Sequence, residues 1–315
     1  MPPHIWSNLD FEYALRYGNL WQPPRAVQAK MDTWRYLLRC MPGYEEAAIW
    51  SHGQARPDDL LVWGEDWRTG AMSPSSRLAN DRLTLHAIEP LSNQLPFRDL
   101  VDSEHKLASL LASTPHDWII KHPLGVSGRE RITGVAGAID PRHRTWLERR
   151  LEEGDKLVFE PRCAIEEEYS WHVTVRQGGA LDVHGRCTLL VDTQGTHRGH
   201  IVRKSGLEDD ALPEIIVSLL TSLYEETGYE GPLSTDGFVG TLPGTEASID
   251  RVVSEINARH TFGRMALELA RGCVTTAERE LIWWHFTQRE LEQDKTLLNR
   301  IKALPPYPDS RDMAA

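Results

Sequence analysis

The segment Val252-Val253-Ser254-Glu255-Ile256-Asn257-Ala258-Arg259 constrains this chain more than any other. Its β-branched, apolar opening predicts a buried strand. Glu255, Asn257 and Arg259 then follow two residues apart, and side chains two apart on a strand share a face. A carboxylate, an amide oxygen and a guanidinium make a poor hydrophobic surface. They make a good floor for Mg2+ with a polyphosphate, because hard oxygens hold the metal and a planar cation holds phosphate oxygens. A polar sheet face turned to water would show the same alternation, so the remainder of the chain has to decide.

Length and charge narrow the choices. The 315 residues fit two or three packed units, and an apolar fraction of 40% supports a real core. With 46 acidic against 35 basic side chains, the net charge of −11 argues against a nucleic-acid partner, which needs a basic face. Cys40, Cys163, Cys187 and Cys273 form no CxxC pair, so neither a zinc site nor a disulfide framework is expected. The first residues lack the charged and apolar regions of a signal peptide, and no apolar run is long enough to span a membrane. A cytoplasmic location without a membrane partner is the expectation.

Read in order, residues 1–100 suggest a small α/β domain. Arg25 to Met41 has helical periodicity after Pro23-Pro24, and Ala47–Trp50 and Leu60–Trp63 read as short buried strands. Gly64-Glu65-Asp66 follows the second strand, as solvated turn residues or as acids facing a sheet crevice. Thr69 to Asn80 is Ser/Pro-rich and reads as a loop. Asp102 is placed to cap a helix running through Lys106 to Leu111.

Asp117 to Arg131 then gives a short strand, Lys121, and a loop with Gly125, Ser127 and Gly128. Glycines let backbone N–H groups approach an anion, and a strand-end lysine adds a point charge. Neither GxxxxGK[ST] nor GxGxxG is present. Pro141–Glu153 is a charged helix, and Lys156–Pro161 is a buried strand closed by Pro161. The acidic link Glu166-Glu167-Glu168 leads into alternating strands through Arg203, so 156–203 reads as an antiparallel meander. Leu212–Glu226 is an amphipathic helix with Gly228 just past its end. Asp236 interrupts an otherwise apolar strand, and a buried Asp needs a partner or a metal. After strand 247–257 comes a helix from about Gly263. A long helix over Glu278–Ile301 and a disordered tail from Pro308 complete the reading.

The ordered set — strand–Lys–Gly/Ser loop, strand–Glu–Pro, acidic strand start, strand–Asp, Glu-x-Asn-x-Arg — resembles the ATP-grasp superfamily of the carboxylate–amine ligase type. The resemblance covers roughly 100–275. It implies an α/β (α+β) ATP-grasp fold with a pre-ATP-grasp α/β domain over 1–100, a nucleotide-binding and catalytic region over 101–275, a C-terminal helix over 276–303 packing on it, and a tail over 304–315. It also implies roles. Lys106 and Lys121 look like the two nucleotide-binding cations, although Lys106 also reads as a solvated helix lysine. Gly125, Ser127 and Gly128 look like the loop closing over the phosphates. Backbone groups near Glu160 and Arg162 would read the adenine edge, and Glu168 would bind the ribose hydroxyls, a role Glu166 or Glu167 could take instead. Asp236, Glu255 and Asn257 match the family's metal triad. Arg259, and Arg203 after the third meander strand, are placed to meet the transferring phosphate; Arg203 also reads as an exposed strand-end cation.

The chemistry implied is ATP-dependent, with Mg2+ or Mn2+: phosphoryl transfer to a small-molecule carboxylate, then attack by an amine. A kinase on the same scaffold would share every ATP residue, and a non-catalytic nucleotide-binding protein would need none of the metal triad. Gly64-Glu65-Asp66, Arg131, Arg186 and Arg203 are the candidate acceptor-site residues. His172 and His260 read as ordinary wall or surface residues. Many such ligases are homodimers. Trp283-Trp284 could serve that interface, although core is the preferred reading.

Overall fold

The computed structural model describes residues 2–69, 74–125, 130–191, 197–209, 211–273 and 281–284. They form three units, each built on its own sheet. The first contains β1 (His4–Trp6), α1 (Phe11–Tyr17), α2 (Arg25–Thr33), β2 (Ala48–Ile49) and β3 (Leu60–Val62). Its strands are parallel with β1 in the middle, so helical connections carry the chain back between them. The helix expected over 25–41 stops at Thr33, and a tighter turn over Leu37–Cys40 drops Leu37 and Leu38 into the core beside Ile5, Phe11 and Trp63.

The stretch expected as a loop over 69–80 carries α3 (Pro74–Ala79), and α4 (Arg82–Ile88) follows at once. Proline suits a first helical position, where its missing N–H is no loss. Asp81 caps α4 by accepting from the Leu83 N–H at 2.8 Å. Ala79 and Leu85 give these short helices an apolar side that docks on the third unit, which is why they form despite their polar composition.

The second unit holds β4 (Asp99–Val101), α5 (Glu104–Ser113), β5 (Trp118–Lys121), β6 (Arg131–Gly134), α6 (Pro141–Glu152) and β7 (Leu157–Pro161). The sheet is antiparallel in the order β4-β7-β5-β6. Leu107, Leu111 and Leu147 of its helices pack on Trp118, Ile120, Leu157 and Phe159. Ser103, not Asp102, caps α5: its hydroxyl accepts from the Lys106 N–H at 3.2 Å, while Asp102 sits one residue too early. Pairing of 157–161 with β5 also corrects the meander, which begins one strand later.

The third unit comprises β8 (Ala164–Val175), β9 (Leu181–Val191), β10 (His197–Val202), α7 (Lys204–Glu208), α8 (Glu214–Thr227), β11 (Gly231–Thr241), β12 (Ser248–Asn257), α9 (Phe262–Cys273) and β13 (Leu281–Trp284). Its six strands run β12-β11-β8-β9-β10-β13, all antiparallel. The acidic run 166–168 is therefore strand, not link. Tyr169, Trp171, Val173 and Val175 alternate onto one face against α8 and α4. The other face is covered in part by α9, through Ala266, Leu267 and Ala270 on Cys187 and Val202. Gly228 ends α8 at φ 64°, the left-handed conformation glycine adopts without a Cβ clash.

Of the helix expected over 278–301, only Leu281–Trp284 is described, and it is a strand on β10. Period-two burial decides it: Trp283 packs on Trp34 and Phe262, while Ile282 is 60% exposed. The core reading of Trp283 agrees with this packing. The remainder of that helix and the 304–315 tail lie outside the described residues. Among the described residues no helix is long and apolar enough to cross a membrane.

Candidate active site

Strand alternation builds the floor. Asp236 on β11 stands opposite both Glu255 on β12 and Ser170 on β8. Because Tyr169, Trp171 and Ile256 turn into the α8 core, Glu168, Ser170, Glu255 and Asn257 turn the other way. Ser170 Oγ donates to Asp236 Oδ1 at 2.7 Å, and Asn257 Nδ2 donates to Asp236 Oδ2 at 2.8 Å. Arg259 donates to Asn257 Oδ1 at 3.2 Å and to Glu12 Oε1 of α1 at 2.5 Å. Glu255 accepts from Arg82 at 2.5 Å. Asp236, Asn257 and Arg259 are thus joined by hydrogen bonds, and Glu255 stands beside them opposite Asp236.

The cluster is short of positive charge. Burial, and then the neighbouring Glu255, push the Asp236 carboxyl up to about 7, with Ser170 and Arg259 opposing. Burial also raises Glu168, and Glu255 adds to that rise. A hard divalent cation would relieve this repulsion, and two carboxylates with one amide oxygen are its chemistry. Among the described residues no three His, Cys, Asp or Glu side chains are set to hold a metal alone. Mg2+ would therefore draw on Asp236, Glu255 and Asn257 together with phosphate oxygens, which suits its habit of few protein ligands. Asn257 now turns its nitrogen to Asp236; a half-turn of the amide would present the oxygen.

Lys121 ends β5 in a second pocket, lined also by Arg82, Glu160, Arg251 and Ser254, and its Nζ lies 2.7 Å from Glu160 Oε2. Glu160 is 3% exposed, with Arg251 at 2.8 Å and Arg98 at 3.5 Å. Burial disfavours its charge, but Arg251, Lys121 and Arg98 outweigh burial and hold the carboxyl well below the usual range. Leu124 and Gly125 line a small, partly open cleft with Glu12, Glu255, Asn257 and Arg259, so the root of the glycine loop faces the floor. Ser127 and Gly128 lie outside the described residues.

Other expected site residues fall elsewhere. Lys106 is on the α5 surface, 2.5 Å from Asp99. The Arg162 N–H already donates to the Asp117 carbonyl at 2.9 Å, so that group is not open to a base edge. Of the three consecutive acids, Glu166 and Glu167 are exposed and bonded to Thr241 and Thr188, whereas Glu168 is half-buried and feels Arg131, Glu255 and Lys121. Arg203 donates to Thr188 at 3.2 Å, and Thr188 pairs with Tyr169 on the sheet face opposite Asp236. Arg186 lies over the Tyr169 and Trp171 rings on that same opposite face. Asp66 is not a solvated turn residue. It is 0% exposed and bound to Arg68 and Asn8. His172 and His260 are both buried rather than superficial.

Sequence reasoning missed Glu12, Arg82, Ser170 and Arg251. Ser170 and Arg251 were within reach, since Ser170 shares the parity of Glu168 and Arg251 breaks an apolar strand as Asp236 does. Glu12 and Arg82 come from the N-terminal unit, and no local pattern ties them to residues more than 170 positions later.

No protein-family model and no curated protein matches the chain. Solved structures do. N5-carboxyaminoimidazole synthetase from Staphylococcus aureus aligns over 95% of this chain and 86% of its own, with a TM-score of 0.51 and 12% identity. An ADP complex of an N5-carboxyaminoimidazole ribonucleotide synthetase aligns over 96% and 86%, with a TM-score of 0.50 and 13% identity. Both are ATP-grasp enzymes, and the present chain has the ATP-grasp fold. At this identity the likeness is one of fold.

Proposed function

We propose that this protein is an ATP-dependent, ADP-forming ligase that activates a small-molecule carboxylate and couples it to an amine. One observation supports the reading: Asn257 bonds both Asp236 and Arg259, Glu255 stands beside Asp236, and Leu124 and Gly125 at the start of the glycine loop line one cleft with Glu255, Asn257 and Arg259. An ADP-bound neighbour on the same fold supports the nucleotide.

In this reading Lys121 holds nucleotide phosphates, exchanging its contact with Glu160 for them, and Glu168 receives the ribose hydroxyls. Asp236, Glu255 and Asn257 hold Mg2+ or Mn2+, which when bound neutralises charge on the phosphate oxygens. Arg259 exchanges Glu12 or Asn257 for the γ-phosphoryl oxygens as their charge redistributes. The γ-phosphorus–oxygen bond to ADP breaks as the bond to the substrate carboxylate oxygen forms, giving ADP and an acylphosphate. The amine then adds at the acyl carbon, loses a proton, and expels inorganic phosphate. The chain's contribution is position, charge and exclusion of water.

The test is ATP with a panel of carboxylates and hydroxylamine as the trapping amine. A ligase yields ADP and a hydroxamate. ADP with a stable phosphorylated product and no hydroxamate would identify a kinase instead.

A further inference from the structure

Lys121 sits at the end of a strand, and the three residues after it decide where the glycine loop begins. Their backbone is fixed from two sides. On one side the His122 ring accepts the Leu124 N–H at Nδ1, 3.0 Å away, and its Nε2 lies 3.2 Å from Asp155 Oδ2. On the other side stands Arg82. Its backbone N–H donates to the Pro123 carbonyl at 3.1 Å. Its guanidinium Nη1 donates to the His122 carbonyl at 3.0 Å and reaches the Pro123 carbonyl at 3.4 Å. Nη2 of the same group lies 2.5 Å from Glu255 Oε1.

One planar group therefore spans the second and third units, from the root of the loop to a carboxylate of the floor. It is itself held firmly. Arg82 opens α4, which Asp81 caps and which docks through Leu85 on the α8 core. The side chain is 15% exposed, so its bonds are sheltered from water. Only a guanidinium has the rigid fork of donors to serve two carbonyls and a carboxylate at once. Glu255 keeps its second oxygen for a cation.

We propose that Arg82 is a positioning residue that sets the distance between the Lys121 loop and Glu255, and so couples nucleotide binding to metal binding. This rests on the nucleotide reading above. Without Arg82 the loop root loses its anchor and Glu255 loses the partner that orients it. Substitution of groups that orient metal ligands costs about tenfold or more in affinity. A lysine retains a charge for Glu255 but cannot hold the carbonyls at the same time.

The experiment is equilibrium binding of ADP to the full chain across a Mg2+ titration, for wild type, Arg82→Lys and Arg82→Ala, with melting temperatures alongside. The expected result is that both variants bind ADP about tenfold more weakly at saturating Mg2+. Arg82→Ala alone also shifts the Mg2+ dependence to higher concentration. Should Arg82→Ala fail to fold, Arg82→Lys decides: ADP affinity within twofold of wild type at every Mg2+ concentration overturns the coupling. A folded wild type that binds no ADP at any Mg2+ concentration overturns the nucleotide reading and the coupling with it. Unchanged variants of a binding wild type overturn the coupling alone.

Discussion

Asn257 and Asp236 meet across the β11–β12 ladder, with the amide Nδ2 donating to Oδ2 at 2.8 Å. The carboxylate that the metal reading needs most is thus half-buried, doubly hydrogen-bonded and still electrostatically uncomfortable beside Glu255.

That discomfort separates activity from stability. Asp236 has a folded value of about 7 against an ordinary 3.8. A carboxyl raised on folding contributes stability below its ordinary value, and that contribution is lost as pH rises through the folded value. At pH ~8 the charge is therefore a cost, and Asp236→Asn removes it. The expected outcome is a melting temperature at or above wild type, with ADP formation lower by about 10²-fold or more. Scanning calorimetry and a coupled ADP assay check the two halves.

Arg259 is held by Glu12 and Asn257 and lies 5.8 Å over the Trp63 ring. Lysine cannot reproduce its fork. Arg259→Lys should lower kcat by about 10²–10³-fold, and ADP binding should weaken far less, because ADP lacks the γ-phosphoryl group. Equal losses in both would show that Arg259 serves general binding.

Arg251 is only 2% exposed and joins Glu89 to Glu160 at 3.3 and 2.8 Å. Arg251→Met leaves those buried acids with Arg98 and, for Glu160, Lys121. Removing one partner of a buried ion pair costs about 3–5 kcal/mol. Urea unfolding should show that loss; a change below about 1 kcal/mol, the scale of exposed pairs, would mean water reaches the cluster.

Acid should destabilise the fold before the bulk of its carboxylates titrate. Burial lowers His172 to about 3, and His197 and His260 to about 4, from 6.5. Groups depressed on folding give stability that is full above 6.5 and lost as pH falls toward their folded values. Asp236, Glu168 and Asp81, raised by burial, work in the opposite direction, but the depressed histidines, with His122 and His86 among them, outnumber these. The melting temperature should therefore fall steadily from pH ~7 to pH ~4.5. A rise over that range would contradict the buried, neutral assignment.

The floor is legible where it is local: a period-two pattern puts Glu255 and Asn257 on one face of β12, Arg259 lies two residues past the strand's end and reaches Asn257 by a hydrogen bond, and Asp236 stands out as a charge in an apolar run. Motif order supplied the ATP-grasp fold. What the sequence hid is long-range or competitive. Arg203 reads like a site cation, yet strand parity carries its partner Thr188 to the far face. Leu281–Trp284 has helical composition around it but joins β10, because Trp283 gains Trp34 and Phe262 as neighbours there. The α3 and α4 helices, and with them Arg82, owe their existence to docking rather than to propensity.

The stoichiometry of ADP and trapped acyl group tests the ligase reading most directly. With ATP, Mg2+, an accepted carboxylate and hydroxylamine, the wild-type protein should form ADP and hydroxamate in equal amounts, and Glu255→Gln should form neither while melting as wild type does. ADP released without hydroxamate, or full turnover by Glu255→Gln, would contradict it.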